Sequence, residues 1–242
     1  MNGRILFCIV FVVCYFCSTK NDKTMYPLIT QNTTFEAVIL CDGDFPKNAI
    51  PLSVLKKAHY VCCCDGATAQ CVVHDIMPQA IVGDGDSLSN ELKLKFADKL
   101  HIVCEQDDND QTKATRFCRA QGKKRIAYLG STGRREDHTL GNIALLARYY
   151  IDFGLEVTMI TDYGYFVATK GKQVFQSFKG QQISLYNIGA SKRLVGKGFK
   201  WAPYAYKELW QGTLNEALGD EVEIDADGVY LVYRTFEPKY KD

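Results

Sequence analysis

The sequence lacks an excess of charge of either sign. Its 29 lysines and arginines meet 28 aspartates and glutamates, a net charge of +1 over 242 residues. Bulk electrostatics therefore gives no case for nucleic acid or an acidic membrane surface as a partner. A metal-binding cysteine framework is also missing: there are ten cysteines, but no C-x-x-C pair recurs at zinc spacing. Three of the ten, Cys62-Cys63-Cys64, are consecutive in a strand-like run. Neighbours in a strand point to opposite faces, which suits buried free thiols in a reducing compartment better than disulfides. Internal repeats and low-complexity segments are absent.

No bilayer span appears in the same reading. Ile5–Cys17, after Arg4, is unbroken and apolar but too short to cross a membrane as a helix. It resembles the apolar core of a signal peptide, yet no A-x-A cleavage site follows. Residues 1–24 are expected to be either an export leader or sequence upstream of a translation start near Met25. The cytosolic look of the remainder favours the second, and with it a cytoplasmic protein.

What is present is an alternation of strands and helices. Apolar runs at Phe35–Cys41, Tyr60–Cys64, Ala80–Val82, His101–Cys104, Arg125–Leu129 and Glu156–Ile160 read as strands. Between them Pro51–Ala58, Ala67–His74, the stretch from Ser89 to Phe96, Thr112–Ala120 and Leu140–Tyr150 read as helices, with Ser89 a cap and Glu91 in the first turn. This alternation predicts an α/β domain, a mostly parallel Rossmann-like sheet with helices on both faces, over residues 25–162. From about Tyr163 the pattern changes. Short runs at Phe166–Ala168, Gln173–Phe178, Gln182–Tyr186, Glu221–Ile224 and Val229–Tyr233 are punctuated by glycines, which predicts a small antiparallel β-sandwich over residues 163–242.

Polar clusters fall at the strand ends: Asp42/Asp44, Asp65, Asp84/Asp86, Asp107/Asp108/Asp110 and Asp137. In a parallel sheet all of these lie on one edge, the edge where α/β folds bind ligands. Asp84 and Asp86, in G-D-G-D-S after the third strand, crowd two carboxylates at one point. A hard cation completed by substrate phosphates relieves that repulsion, and Mg²⁺ is the expected one. An acidic solvated turn is the plainer alternative. After the fifth strand, Gly130-Ser131-Thr132-Gly133-Arg134-Arg135 opens a helix, and free N–H groups beside arginine make an anion site. Carboxylates for a metal and cations for phosphate on one edge point to a metal–nucleotide site, where catalysis is positioning and charge neutralisation.

Six motifs in order now resemble the thiamine pyrophosphokinase family: C-D-G-A (64–67), G-D-G-D-S (83–87), E-Q-D-D-N-D-Q-T-K-A (105–114), G-S-T-G-R-R-E-D-H-T-L-G-N (130–142), G-F-K-W (198–201) and T-L-N-E (213–216). The resemblance runs from about Phe35 to the C-terminus. It implies transfer of pyrophosphate from ATP to the hydroxyethyl oxygen of thiamine, giving thiamine diphosphate and AMP, in a homodimer whose active sites are shared between chains. By match of position it implies Asp84, Asp86 and Asp110 as Mg²⁺ ligands, with Arg135 and Asp137 beside them in catalysis. On the ATP side it implies Asp42, Asp65, Gly66, Ser87, Lys113, Gly130, Thr132, Arg135 and His138, although turn-making explains Asp42, and helix capping His138, as well. On the thiamine side it implies Gln106, Trp201, Leu214 and Asn215. Two departures touch that side. Gly66-Ala67-Thr68 stands where the family usually has Gly-Gly-Ala-Asn, and Leu214-Asn215 where it usually has Ser-Asn. Asp107 and Asp108 are expected to be solvated neighbours of Asp110. Of the two tryptophans, Trp210 is expected in the core and Trp201 against the substrate.

Two other functions fit part of the pattern. A nucleotide-sugar glycosyltransferase also holds a metal–diphosphate on a D-x-D, but it leaves the R-E-D-H turn unexplained. A non-catalytic nucleotide or thiamine sensor would share the fold, and the intact carboxylates argue against it.

Overall fold

The computed structural model describes residues 25–189 and 191–239; the leader proposed for residues 1–24 lies outside them. The elements run β1 (Met25–Tyr26), β2 (Ala37–Leu40), α1 (Ala49–Lys56), β3 (Val61–Cys64), α2 (Thr68–Val73), β4 (Ala80–Gly83), α3 (Asn90–Lys95), β5 (Leu100–Ile102), α4 (Asp110–Ala120), β6 (Arg125–Leu129), α5 (Glu136–Ile151), β7 (Glu156–Ile160), β8 (Gly164–Gln176), β9 (Gln181–Tyr186), β10 (Leu194–Lys197), β11 (Asn215–Glu216) and β12 (Glu221–Pro238). Among the described residues no helix is long and apolar enough to cross a membrane.

The strands form one mixed sheet of order β11-β9-β12-β8-β7-β6-β2-β3-β4-β5. From β7 to β5 every pairing is parallel. Strands β2, β3 and β4 bury every side chain, as strands covered on both faces must. Alternate residues divide between two cores. Ile39, Cys62, Cys64 and Val82 pack with Ala114 and Cys118 of α4 and Leu146 of α5, whereas Val38, Leu40, Cys63 and Ile81 pack with Val54 and Leu55 of α1 and Cys71 of α2. The chain steps outward from β2 to β5, then returns to place β6 against the other side of β2. The strand order thus reverses between β2 and β6, and a crevice opens above that point.

Strand β7 meets β8 antiparallel, and the remaining pairings are antiparallel apart from β1, which runs parallel to β8. Here the sequence reading needs correcting. Phe166–Ala168 and most of Gln173–Phe178, as far as Gln176, belong to one strand, β8, and Glu221–Ile224 and Val229–Tyr233 to another, β12. Gly171 adopts a positive φ of 70° and kinks β8 without ending it. Opposite the kink, the register of β12 shifts between Ala226 and Val229. Glycine and a bulge bend a strand as readily as they terminate one. Below the bend β12 pairs with β10, and above it with β9. A third core, with Phe175, Leu185, Ile224 and Tyr230, fills this part. Arg234 is buried between the rings of Tyr165 and Phe175, and it donates to the carbonyls of Tyr26, Pro27 and Gln176, which ties the start of the described chain to this half.

Candidate active site

Above the crevice lies a cleft of about 470 Å³. Its floor comes from the ends of β2 and β3. Asp65, only 2% exposed, follows β3 and reaches across to the next strand end. Its Oδ1 accepts from Gly66 N (2.7 Å) and its Oδ2 from Gly85 N (2.9 Å). That reach needs Gly83, since a Cβ there would run into the Asp65 carboxyl group. Burial pushes Asp65 above the ordinary carboxylate range, with the charge of Asp110 adding to it and the two N–H groups opposing it.

Asp84 and Asp86 follow on the β4 turn. Asp86 N donates to Asp84 Oδ1 (3.1 Å), and Gln106 Nε2 donates to Asp84 Oδ2 (3.2 Å). These two donors, the backbone N–H first, hold Asp84 below the usual carboxylate value. Ser87 Oγ donates to Asp86 Oδ1 (3.1 Å). One carboxylate oxygen from each of Asp65, Asp84 and Asp86 lies within 4.8 Å of the others. An all-oxygen, anionic set graded from buried Asp65 to exposed Asp86 fits a hard divalent cation that keeps part of its water shell.

Asp110 lines the same cleft at the start of α4, where its carboxylate pairs with the buried ammonium of Lys113 at 3.3 Å. The carboxylate group at the β4 turn therefore gathers Asp65, which the sequence reading had put on the ATP side, with Asp84 and Asp86. Asp108 corrects an expectation outright. It is largely buried, not solvated, and its carboxylate takes Arg148 at 2.6 Å and Arg116 at 3.0 Å.

The opposite wall is the turn between β6 and α5. Gly130 has φ +63°, and a Cβ there would meet the carbonyl of Cys41. Its glycine requirement thus comes from the close approach of β2 and β6. Gly43 N donates to Gly130 O (2.6 Å) and Asp44 N to Thr132 O (2.8 Å), which zips the two loops together. Arg134 pairs with Asp42 at 2.6 Å. Arg135 is the N-cap residue of α5 and makes a two-point contact with Asp137, at 3.1 and 2.6 Å. That contact holds the exposed Asp137 below the usual carboxylate value. Arg135 and His138 line the cleft with Arg134.

Residues without an assigned role in the sequence reading complete the wall. Asn109 caps α4 by accepting from Thr112 N (3.0 Å), and its amide donates to Asn142 Oδ1 (2.9 Å). Asn142 donates to Ser131 O (2.8 Å), and the Gln111 amide donates to Asn142 O (3.3 Å). The capping signature at Asn109 was legible. The contacts of Asn142, which join α4 to the β6–α5 turn, were not.

The other predicted residues lie away from this cleft. Thr132 and Leu214 line a second cavity of about 670 Å³ between the parallel and antiparallel halves, with Phe166, Tyr186 and Tyr233. Leu214 holds φ +62°, an uncommon conformation for a leucine. Trp201 is 54% exposed and Lys200 Nζ sits 5.0 Å from its ring centre. Asn215 is buried and its amide is spent on its neighbours: Oδ1 accepts from Trp201 N (3.2 Å) and Glu216 N (2.9 Å), while Nδ2 donates to Trp201 O (2.7 Å). It positions Trp201. Trp210, expected in the core, is 72% exposed, because it sits in the short 3₁₀ turn Leu209–Gly212 at the surface.

The switch-point cleft of the α/β sheet thus sets a carboxylate group on one wall against the arginine-bearing start of α5 on the other. Two family models match, described as the thiamin pyrophosphokinase catalytic domain over residues 52–159 and the thiamin pyrophosphokinase substrate-binding domain over residues 164–233. The chain belongs to the thiamin pyrophosphokinase family, and with that membership comes the activity, thiamine diphosphokinase. Solved structures agree on the fold. The chain is similar to thiamine pyrophosphokinase from Bacillus subtilis, at 20% identity and a TM-score of 0.69, covering 84% of this chain and 99% of that one. It is similar to the Candida albicans enzyme at 16% identity and 0.71, covering 89% and 93%, and to the yeast enzyme at 16% and 0.69, covering 87% and 90%. No curated protein sequence matches.

Proposed function

We propose that pyrophosphoryl transfer from ATP to the hydroxyethyl oxygen of thiamine takes place on the strand-end edge of the parallel half. The observation that carries this reading is the convergence of Asp65, Asp84 and Asp86 across a cleft from Arg134 and Arg135. In this reading Asp84, Asp86 and Asp65 hold Mg²⁺, with Asp110 in reserve on the same cleft, and the ion supplies charge neutralisation for the triphosphate. The chain's own residues do the rest. Gln106 fixes the rotamer of Asp84 through its amide. Lys113 brings a buried positive charge to the phosphates, and the α5 N-terminus offers its dipole and Arg135 to them. Asp137 holds the Arg135 guanidinium in place, and Asp42 does the same for Arg134. Gly66, Ser87, Gly130 and His138 line the ATP side.

The finer architecture belongs to the same reading. Residues 25–162 form a Rossmann-like catalytic domain and 163–242 a β-sandwich that receives thiamine; the limits of the two family models, 159 and 164, support a division there. The functional unit is a homodimer in which Trp201, Leu214 and Asn215 of one chain complete the cleft of the other. The exposure of Trp201, Tyr204, Leu209, Trp210, Leu214 and Leu218 within one short stretch supports it, since apolar surface in that density favours a partner. The seven cysteines in the described residues are all free, which supports a reducing, cytoplasmic setting. The near-neutral charge supports the absence of nucleic-acid and membrane partners. With Mg²⁺, ATP and thiamine, purified protein should yield thiamine diphosphate and AMP one for one. Accumulation of ADP and thiamine monophosphate would overturn the reading.

A further inference from the structure

The floor of the cleft carries two thiols that the reaction does not use. Cys41 follows β2 and Cys64 ends β3, and both line the cleft. The strands are parallel with Leu40 opposite Cys63, so one residue on, Cys41 faces Cys64 from the same side of the sheet. Their sulfurs are 3.8 Å apart. A tetrahedral ion with metal–sulfur bonds of about 2.3 Å holds two sulfurs roughly 3.8 Å apart. Two oxygens approach Cys41 Sγ as well: Ser131 Oγ at 3.4 Å and Gln111 Oε1 at 3.6 Å. Both are neutral, and both come from elements that fold over the sulfur, the β6–α5 turn and α4.

We infer that Cys41 and Cys64 form a second cation site, for a soft divalent ion such as Zn²⁺ or Cd²⁺, beneath the hard-cation carboxylates. On binding, each thiol gives its proton to solvent and its sulfur lone pair to the ion, so two protons leave for one ion bound. Ser131 and Gln111 complete the coordination with oxygen. Thiolates select soft ions and carboxylates hard ones, so the adjacent residues Cys64 and Asp65 divide the two kinds of ion between them. The other close thiol pairs do not compete. Cys62 and Cys118, hydrogen-bonded to each other, are fully buried and do not line the cleft. Cys63 and Cys71, with sulfurs 2.8 Å apart, lie on the far face among Val54 and Leu55 and line neither side of the cleft.

Cd²⁺ alone is the probe, added to the full-length protein in excess Mg²⁺. The sulfur-to-cadmium ultraviolet band should saturate at a tight equivalent that Mg²⁺ does not displace. Cys41→Ala and Cys64→Ala should each weaken that equivalent at least about a hundredfold, while Cys71→Ala leaves it intact. X-ray absorption at the cadmium edge of the wild-type complex should find two sulfurs with oxygen neighbours, and one sulfur in Cys41→Ser, which keeps the side-chain volume. Unchanged affinity in both alanine variants, or loss of the site in Cys71→Ala, would overturn the proposal. If the alanine variants do not fold, an unchanged sulfur count in Cys41→Ser overturns it equally, because the ion is then held by other cysteines.

Discussion

The two halves of the sheet hold their polar groups in different ways. In the parallel half the side chains that face the cleft are fixed by the chain itself: Asp65 by two backbone N–H groups, Asp84 by Gln106, Arg134 by Asp42 and Arg135 by Asp137. At Trp201 of the antiparallel half it is the backbone that is fixed, by Asn215, while the ring stays half exposed with Lys200 beside it. Charge chemistry needs its dipoles and charges set before the substrate arrives, because reorganising them costs part of the rate. A stacking surface has no such need and is finished when something covers it. The contrast supports the proposed placing of chemistry in one half and capture of thiamine in the other.

The largest expected effect breaks the first half. Asp86→Asn keeps the shape but removes a charge from the carboxylate group, and its turnover should fall on the order of a hundredfold, about 3 kcal/mol in the transition state. Asp108→Asn is the informative contrast. It leaves Arg116 and Arg148 short of a buried anion, so it should lower stability by about 1–3 kcal/mol, toward the low end because both arginines keep contact with water. Its turnover per folded molecule should change far less than that of Asp86→Asn. Denaturant melts alongside single-temperature kinetics separate the two, and equal kinetic losses would contradict the division of roles.

Next comes the second half. Trp201→Ala should raise KM for thiamine about tenfold, the size of a cation–π contact with the thiazolium, and barely move KM for ATP. Steady-state titration of each substrate at saturating levels of the other gives both constants. A shift in the ATP constant alone would place Trp201 on the wrong side of the cleft.

The smallest effect concerns pH. Burial raises Asp65 in the folded chain, so without metal its ionisation weakens the fold. The stabilising contribution is present below the ordinary carboxylate value and is lost as pH rises through the raised one. In metal-free buffer the stability of wild type relative to Asp65→Asn should therefore decline over that window. Urea midpoints at closely spaced mildly acidic pH values check this, and a wild type that gains on the variant as pH rises would reverse the sign.

Much of the parallel half was legible in the sequence because its signals are local. Apolar runs with acidic ends gave β2, β3 and β4, and Ser89 caps α3 by accepting from Leu92 N as its position suggested. Strand order was not legible, because nothing local says that β6 lies beside β2. Nor was the fate of Asp108, whose partner Arg148 lies forty residues away. Glycines misled in the antiparallel half: Gly171 and the bulge before Val229 bend strands that continue. Asp65 joins Asp84 and Asp86 only because β3 and β4 are neighbours and Gly83 leaves room. Trp210 was misjudged because a tryptophan's size argues for burial when the chain around it is unknown.

The proposed division of labour between halves, with each site built across two chains, is most directly tested by mixing. Asp86→Asn chains and Trp201→Ala chains, each impaired alone, are unfolded together and refolded. If the carboxylates of one chain work with the Trp201 of its partner, mixed dimers hold one site with both residues intact, and activity rises well above the mean of the two variants. If each chain completes its own site, every site in the mixture keeps one defect, activity stays at the mean, and the shared-site account is contradicted.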